Sequence, residues 1–322
     1  MKKNEIEING IQVLDLQIKA LKKLKSSINK SFVNAVNLIS NCKGKVIICG
    51  VGKSGKIASK ISATLSSIGT PSFSISANES SHGDLGKISK QDIIILISNS
   101  GNTEELKDII KFSKNNKILL IGIVSNHKSY LYKSSKVKLL IPEVEEAGHG
   151  IVPTSSTTAQ LALGDAISIA VMKKKKFGKL DFKKFHPAGN LAVKLKTASD
   201  IMLTNNKIPF VNYNINFKEA LITLNKKKLG FLVIINEFGK TVGMFTDGDL
   251  KRLMQKKKSI EGLKIRRFMT KKPYSVEENT LATEILKIMN KKKITNVCVY
   301  NKNDKRKTIG VIHIHDLLNF LK

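Results

Sequence analysis

Three polar turns follow or border short apolar runs early in the chain. They are Gly50-Val51-Gly52-Lys53-Ser54-Gly55, Ser80-Ser81-His82-Gly83-Asp84-Leu85-Gly86 and Ser98-Asn99-Ser100-Gly101-Asn102-Thr103-Glu104-Glu105. Hydroxyl groups and exposed backbone amides at a strand-to-helix turn are suited to a small anion, because helix N-terminal N–H groups carry a partial positive charge. In the third turn one hydroxyl is enough to cap the next helix, with Glu104 and Glu105 complementing its dipole. Ser98, Ser100 and Thr103 supply three, which favours a monophosphate cradle. The first turn formally matches the dinucleotide pattern G-x-G-x-x-G, yet the ribose-binding acid expected near the end of the next strand is not evident, and Glu79 comes late. A Walker-type loop is excluded, since its first glycine would fall at Ile47. With or without a dinucleotide, glycines let the backbone approach a ligand, which would place Gly52 and Ser54 near it and Lys53 on the turn; the plainer alternative is a tight strand-to-helix turn with a solvated lysine and no ligand. A fourth polar run, Thr154-Ser155-Ser156-Thr157-Thr158, repeats the chemistry ahead of another helix, where it can cap, line the site, or do both.

The elements that must hold these turns read as a repeated strand–helix unit. Apolar runs at 45–49, 72–76, 92–97, 117–124 and 137–141 alternate with helical periodicity, including Ile57, Ile61, Leu65 and Ile68, which stops at Gly69-Thr70-Pro71. The expected fold is α/β, a doubly wound parallel sheet of flavodoxin type. Residues 11–41 read as helix within a helical N-terminal segment, 1–42, and 156–172 as a last helix. Residues 1–190 form the expected first domain, with 191–199 a linker. Beyond it the chain repeats. Asn225-KKKLGFLVIIN matches Asn290-KKKITNVCVYN, Gly243-MFTDGDL matches Gly310-VIHIHDL, and Asp200-Ile201-Met202 matches Arg267-Phe268-Met269. Two α+β modules, 200–262 and 263–322, are expected to pack as a pair.

Composition narrows the function. Among 322 residues, 56 Lys and Arg outweigh 25 Asp and Glu, a net charge of +31. The excess lies in short lysine runs without a nucleic-acid-binding signature, so a solvated surface explains it better than nucleic acid does. The field can still attract a phosphorylated metabolite. Cys42, Cys49 and Cys298 have no metal-ligand spacing and read as reduced thiols. The N-terminus lacks a signal-peptide core and the apolar runs are too short to span a bilayer, so a cytoplasmic protein with no membrane partner is expected.

The motifs GVGKSG, HGDLG, ISNSGNTEE and PTSSTTAQLALGDA, with His186-Pro187-Ala188-Gly189 downstream, resemble the sugar isomerase (SIS) domain of the arabinose-5-phosphate isomerases. The repeated tail resembles the pair of CBS modules that family carries. The resemblance implies interconversion of D-arabinose 5-phosphate and D-ribulose 5-phosphate, supplying the Kdo sugar of lipopolysaccharide. It implies catalytic roles for Lys53, Glu105, Glu146 and His186, and a substrate-side place for His82 and Ser155 beside Ser98, Ser100 and Thr103. Moving a proton from C2 to C1 needs a positioned base and a stabilised enediolate. A carboxylate of raised pKa suits the transfer, with Glu146 the expected base and Glu105 its rival; His186 opens the ring and Lys53 steadies the oxyanion. No cofactor is required, although His82 and His186 could hold an inhibitory divalent ion. Thr246 and Asp249, with His313 and Asp316 in the second module, stand where such modules often meet a nucleotide. After Glu146-Ala147 the family usually has Cys-Pro-Leu, where this chain has a loop one residue shorter. A homo-oligomer, a tetramer by resemblance, is implied. The rival functions are a non-catalytic sugar-phosphate-binding regulator and an isomerase for another phosphosugar.

Overall fold

The computed structural model describes residues 4–80, 82–186, 193–256 and 262–321. Pro187, Ala188 and Gly189 of the expected His-Pro-x-Gly turn, the start of the 191–199 linker, and 257–261 near the module junction lie outside the described residues. The chain divides into two compact units, Met1–Phe185 and His186–Lys322.

Unit 1 is a five-stranded parallel sheet, β1 (Val46–Gly50), β2 (Ser72–Ser76), β3 (Ile93–Ile97), β4 (Leu119–Val124) and β5 (Val137–Leu140), in the order β2-β1-β3-β4-β5. Every residue of β1 and β3 is buried. Successive residues point to opposite faces, so each face has its own core. Ile48, Ile95 and Ile121 pack with residues of α2 (Lys30–Ser40), α3 (Lys53–Ser67) and α7 (Ser155–Lys174). Ile47, Ile94 and Leu120 pack with Ile109 of α5 (Lys107–Asn115) and Leu131 of α6 (Tyr130–Ser134). The doubly wound sheet is therefore as the alternation predicts.

One expectation is corrected at the N-terminus. The single helix over 11–41 is two, α1 (Glu5–Ser26) and α2, because Asn29 adopts extended backbone and its side chain accepts from the Ser31 amide. An asparagine cap starts a new helix where periodicity alone runs on. Two short helices complete the unit, α4 (Ala77–Ser80) and α8 (Lys179–Phe185).

Unit 2 contains two four-stranded sheets, β10-β9-β8-β7 and β11-β12-β13-β6. The first comprises β7 (Phe210–Asn212), β8 (Phe231–Ile235), β9 (Thr241–Thr246) and β10 (Thr270–Lys271); the second β6 (Leu203–Thr204), β11 (Ser275–Glu277), β12 (Asn296–Asn301) and β13 (Asp304–His313). The arms are exchanged. β6, which precedes the first module, pairs with β13 of the second, and β10, which precedes the second, pairs with β9 of the first. The helix α9 (Ala198–Ile201), on the same arm as β6, enters the second module's core beside Val276 and Ile285, while Ile265 joins Phe217 and Phe245 in the first. Phe231, Val233, Cys298 and Val311 form a shared core. The equivalent Thr241 and Thr308 hydroxyls meet at 2.7 Å.

Candidate functional site

The β1–α3 turn owes its shape to glycine. Gly52 has φ +58°, a region L side chains rarely adopt, and a Cβ on Gly50 would lie 2.8 Å from the Ser54 carbonyl carbon. The backbone is thereby drawn tightly round, and Lys53 becomes the first residue of α3. Ser54 Oγ donates to Gln160 Oε1 at 3.1 Å, tying α3 to α7. Gln160 is itself buried.

The turn after β3 is held by its own hydroxyls. The buried Ser98 Oγ accepts from the Gly101 amide at 2.9 Å and pairs with Thr103 Oγ1 at 2.7 Å. Only one proton is consumed between that pair, so one O–H remains for an outside acceptor. Ser100 is exposed; its Oγ accepts from the Asn102 amide at 3.3 Å, which leaves its hydrogen to donate. Glu105 lies on the adjacent single turn Glu104–Leu106 and is exposed.

Glu146 sits in the short loop before α7. Its Oε2 accepts from the Thr154 amide at 2.7 Å, the Ser155 amide at 2.8 Å and Thr154 Oγ1 at 3.2 Å, and its Oε1 from the Ser156 amide at 3.2 Å. It thus satisfies the orphan amides of α7 as a side-chain cap. Burial pushes its carboxyl up, but the Ser156 hydroxyl and the amides of Thr154, Ser156 and Ser155 outweigh that and hold it below its ordinary value. The direction is opposite to the raised carboxyl anticipated for the base. The loop itself is tight: Gly148, His149 and Gly150 all have positive φ, and Ala147 bridges Val152. Ser155 Oγ is buried with no hydrogen-bond partner among the described residues.

These segments enclose a cavity of about 410 Å³. Of the anticipated residues, Lys53, Ser54 and Glu146 line it. Gly52 immediately precedes them on the β1–α3 turn. Glu105, His82, Ser98, Ser100, Thr103 and Ser155 are not among the lining residues. His82 is exposed, its amide donating to the Glu79 carbonyl at 3.0 Å. His186 follows α8 as the first residue of unit 2. Asn99, Ser156, Thr157 and Gln160 also line the cavity, although none was singled out as a site residue. Asn99 belongs to the SNSGNTEE motif and Gln160 to PTSSTTAQLALGDA, so a polar side chain after a strand and in the first turns of a helix is the signal that could have found them. Among the described residues no three His, Cys, Asp or Glu side chains form a metal-holding group. No helix of the described residues is long and apolar enough to cross a membrane. The buried Cys49 thiol is pushed up to about 12 by burial, which removes it from nucleophilic chemistry.

A family model for the SIS domain matches residues 38–170, and one for the CBS domain matches 198–256 and 265–322. The chain is 41% identical over 311 residues to the arabinose 5-phosphate isomerase KdsD of Yersinia pestis, covering 96% of this chain and 94% of that protein. It is 40% identical over the same shares to KdsD of Salmonella typhi. Among solved structures, E. coli CFT073 c3406 in complex with arabinose 5-phosphate is 39% identical with a TM-score of 0.55, covering 58% of this chain and 100% of that one. The chain therefore belongs to the family of SIS-domain proteins with a CBS pair that includes the KdsD arabinose 5-phosphate isomerases.

Proposed function

We propose that the chain is an aldose–ketose isomerase that interconverts D-arabinose 5-phosphate and D-ribulose 5-phosphate through an enediol. One observation carries the reading: Lys53 on α3 and Glu146 before α7, far apart in sequence, line one cavity at the ends of the parallel strands. Open α/β sheets bind ligands outside the carboxyl ends of their strands. The KdsD relatives and the sugar-phosphate complex of c3406 support the choice of sugar.

In this reading the Ser98–Thr103 turn holds the phosphate through its remaining O–H donors and the start of the following helix. The carbon chain extends toward Lys53 and Glu146. One carboxylate removes the C2 proton and returns it to C1, the hydroxyl proton passes from O2 to O1 at the enediol stage so that C2 becomes the carbonyl, and the Lys53 ammonium stabilises the oxyanion that develops between. Glu146 is the base and Glu105 the rival. For Glu146 to serve, the substrate must draw its carboxylate from at least one α7 amide, which also raises its basicity. His186 opens the sugar ring, a role resting on the His-Pro-x-Gly resemblance. No cofactor enters these steps. The same resemblance supports an inhibitory divalent ion on His82 and His186, a nucleotide at the CBS pair through Thr246, Asp249 or Asp316, a cytoplasmic homotetramer, and a place in Kdo supply.

The deciding experiment mixes purified protein with arabinose 5-phosphate, ribulose 5-phosphate and hexose phosphates and measures aldose–ketose conversion. Conversion confined to the pentose pair is expected. Binding without turnover would instead favour a sugar-phosphate sensor, and turnover of a hexose phosphate another isomerase. Glu146→Gln should lower kcat by about a hundredfold or more, the usual worth of a positioned general base. An unchanged kcat would remove Glu146 from the chemistry.

A further inference from the structure

The contact between α3 and α7 has an apolar level and a polar one. In the apolar level Gly164 packs against Ile61. In the polar level Ser54 Oγ donates to Gln160 Oε1 at 3.1 Å. Gln160 stands one turn beyond Ser156 and one turn before Gly164, on the same face of α7. Ser156, Thr157 and Gln160 all line the cavity that holds Lys53 and Glu146. Gln160 is the last polar side chain on this face before the Gly164–Ile61 contact, about 6 Å further along α7 than Ser156. Helical side chains lean toward the N-terminus, so Gln160 reaches back toward the end of α7 that Glu146 caps.

Gln160 is 1% exposed. Its side chain brings an oxygen that accepts and an Nε2 with two N–H donors. Ser54 takes the oxygen. Nε2 meets no acceptor among the described residues. It is not sealed either, because the sealed and unpartnered side-chain atoms there are Ser155 Oγ and Asn296 Oδ1. The N–H groups therefore open on the cavity. A tie between two helices uses only the oxygen, and the donors are left for something that enters.

We propose that Gln160 is a further catalytic residue of the isomerase and Ser54 its positioning residue. Gln160 Nε2 donates to an oxygen at C1 or C2 as charge develops there, and Ser54 fixes the amide plane by donating to Oε1. This rests on the isomerase reading above and adds a donor to it. Lys53 supplies charge, and the amide supplies a preorganised neutral donor. The oxyanion gains a hydrogen bond without another titrating group beside Glu146.

The test compares the unaltered chain with Gln160→Met, which is similar in length and has no N–H. kcat should fall about a hundredfold, the usual worth of one oxyanion donor, while KM stays within about twofold. Binding separates this contact from a general disturbance. 4-Phospho-D-erythronohydroxamate, whose planar end copies the enediolate, should bind the variant about tenfold or more weakly, whereas arabinitol 5-phosphate, with hydroxyls alone at that end, should bind it equally well. Ser54→Ala should lower kcat in the unaltered chain and cause no further loss in Gln160→Met, because it acts through that amide. Should Gln160→Met fail to fold, Gln160→Glu keeps an oxygen for Ser54 and lacks the N–H donors. At about pH 8, where its carboxyl is ionised, it should lose at least as much kcat. An unchanged kcat in either folded variant overturns the proposal and leaves Gln160 a tie between helices. Equal weakening of both probes puts the donor on a hydroxyl and overturns the assigned oxygen. Independent losses from Ser54→Ala and Gln160→Met overturn the positioning role. No turnover and no binding of either probe by the unaltered chain overturns the isomerase reading itself, and this proposal with it.

Discussion

Glu146 is asked to do two things with one carboxylate. As a cap on α7 it stays ionised to a lower pH than an ordinary glutamate, because the ionised form collects the donors of Thr154, Ser155 and Ser156. A carboxyl depressed in the folded state adds stability above its unfolded pKa and loses it as pH falls through the folded one. Glu146→Gln should therefore destabilise unit 1 by about 1 kcal/mol at pH 7, the usual worth of a helix cap. The difference should shrink well below pH 4.5, the ordinary glutamate value. Urea unfolding at the two pH values measures it, and an equal cost at both would contradict the cap. The kinetic counterpart has the same sign. If Glu146 is the base, the acid limb of kcat/KM, which reports the free enzyme, should fall below pH 4.5. A limb above that value would point to the rival carboxylate or to a group not considered. Lys53, Ser54 and Glu146 were readable because motif and chemistry coincide at each. The cap was not, because its partners are amides eight to ten residues further on and amides carry no residue-type signal.

Between elements, the cavity depends on how closely α3 and α7 approach. A Cβ on Gly164 would overlap the Cδ1 and Cγ1 atoms of Ile61, which is 3% exposed and lies in the core. Gly164→Ala should gain intrinsic helix propensity yet destabilise by about 1–3 kcal/mol through overpacking. Ile61→Ala should cost about 2–5 kcal/mol by leaving a cavity. The double variant should be more stable than the sum of the two, because the added methyl fills part of the space the isoleucine vacates. Additive values in a denaturation cycle would mean that the helices do not meet there. Sequence periodicity located both helices, but a glycine inside a helical pattern reads only as a weak position. Its purpose appears once the neighbour is known. The break between α1 and α2 was hidden for a related reason: Ser27 and Ile28 continue the helical pattern, and the Asn29 cap decides locally.

At the scale of the molecule, the net charge of +31 and the phosphate of the proposed substrate predict electrostatic steering. Raising ionic strength from about 0.01 to 0.15 M shortens the Debye length from about 30 to about 8 Å, and kcat/KM should fall while kcat changes little. Steady-state kinetics across a salt series reads this directly; a flat kcat/KM would mean that the lysine runs serve solubility alone. The c3406 structure spans only 58% of this chain, all of it matched. A fragment ending near residue 192 should accordingly retain turnover, with kcat within about tenfold of the full chain, since domains of this size fold on their own core. Complete loss in a fragment that folds by circular dichroism would assign residues beyond 192 a part in the chemistry.

Local physics was enough to read the strands, their alternation with helices and the module repeat. Buried strands must be continuously apolar, helix faces must recur at 3.6 residues, and turns with positive φ call for glycine. The exchange of arms was decided only by tertiary packing. The motifs containing Met202 and Met269 were visible, as were those beginning at Gly243 and Gly310, but not which meets which. Met269 covers Gly243 and Met202 covers Gly310, each arm crossing to the other module. Two halves of the same element pattern offer similar local contacts, so no single segment carries the preference. It emerges from the shared core of Phe231, Val233, Cys298 and Val311, which only the folded pair brings together.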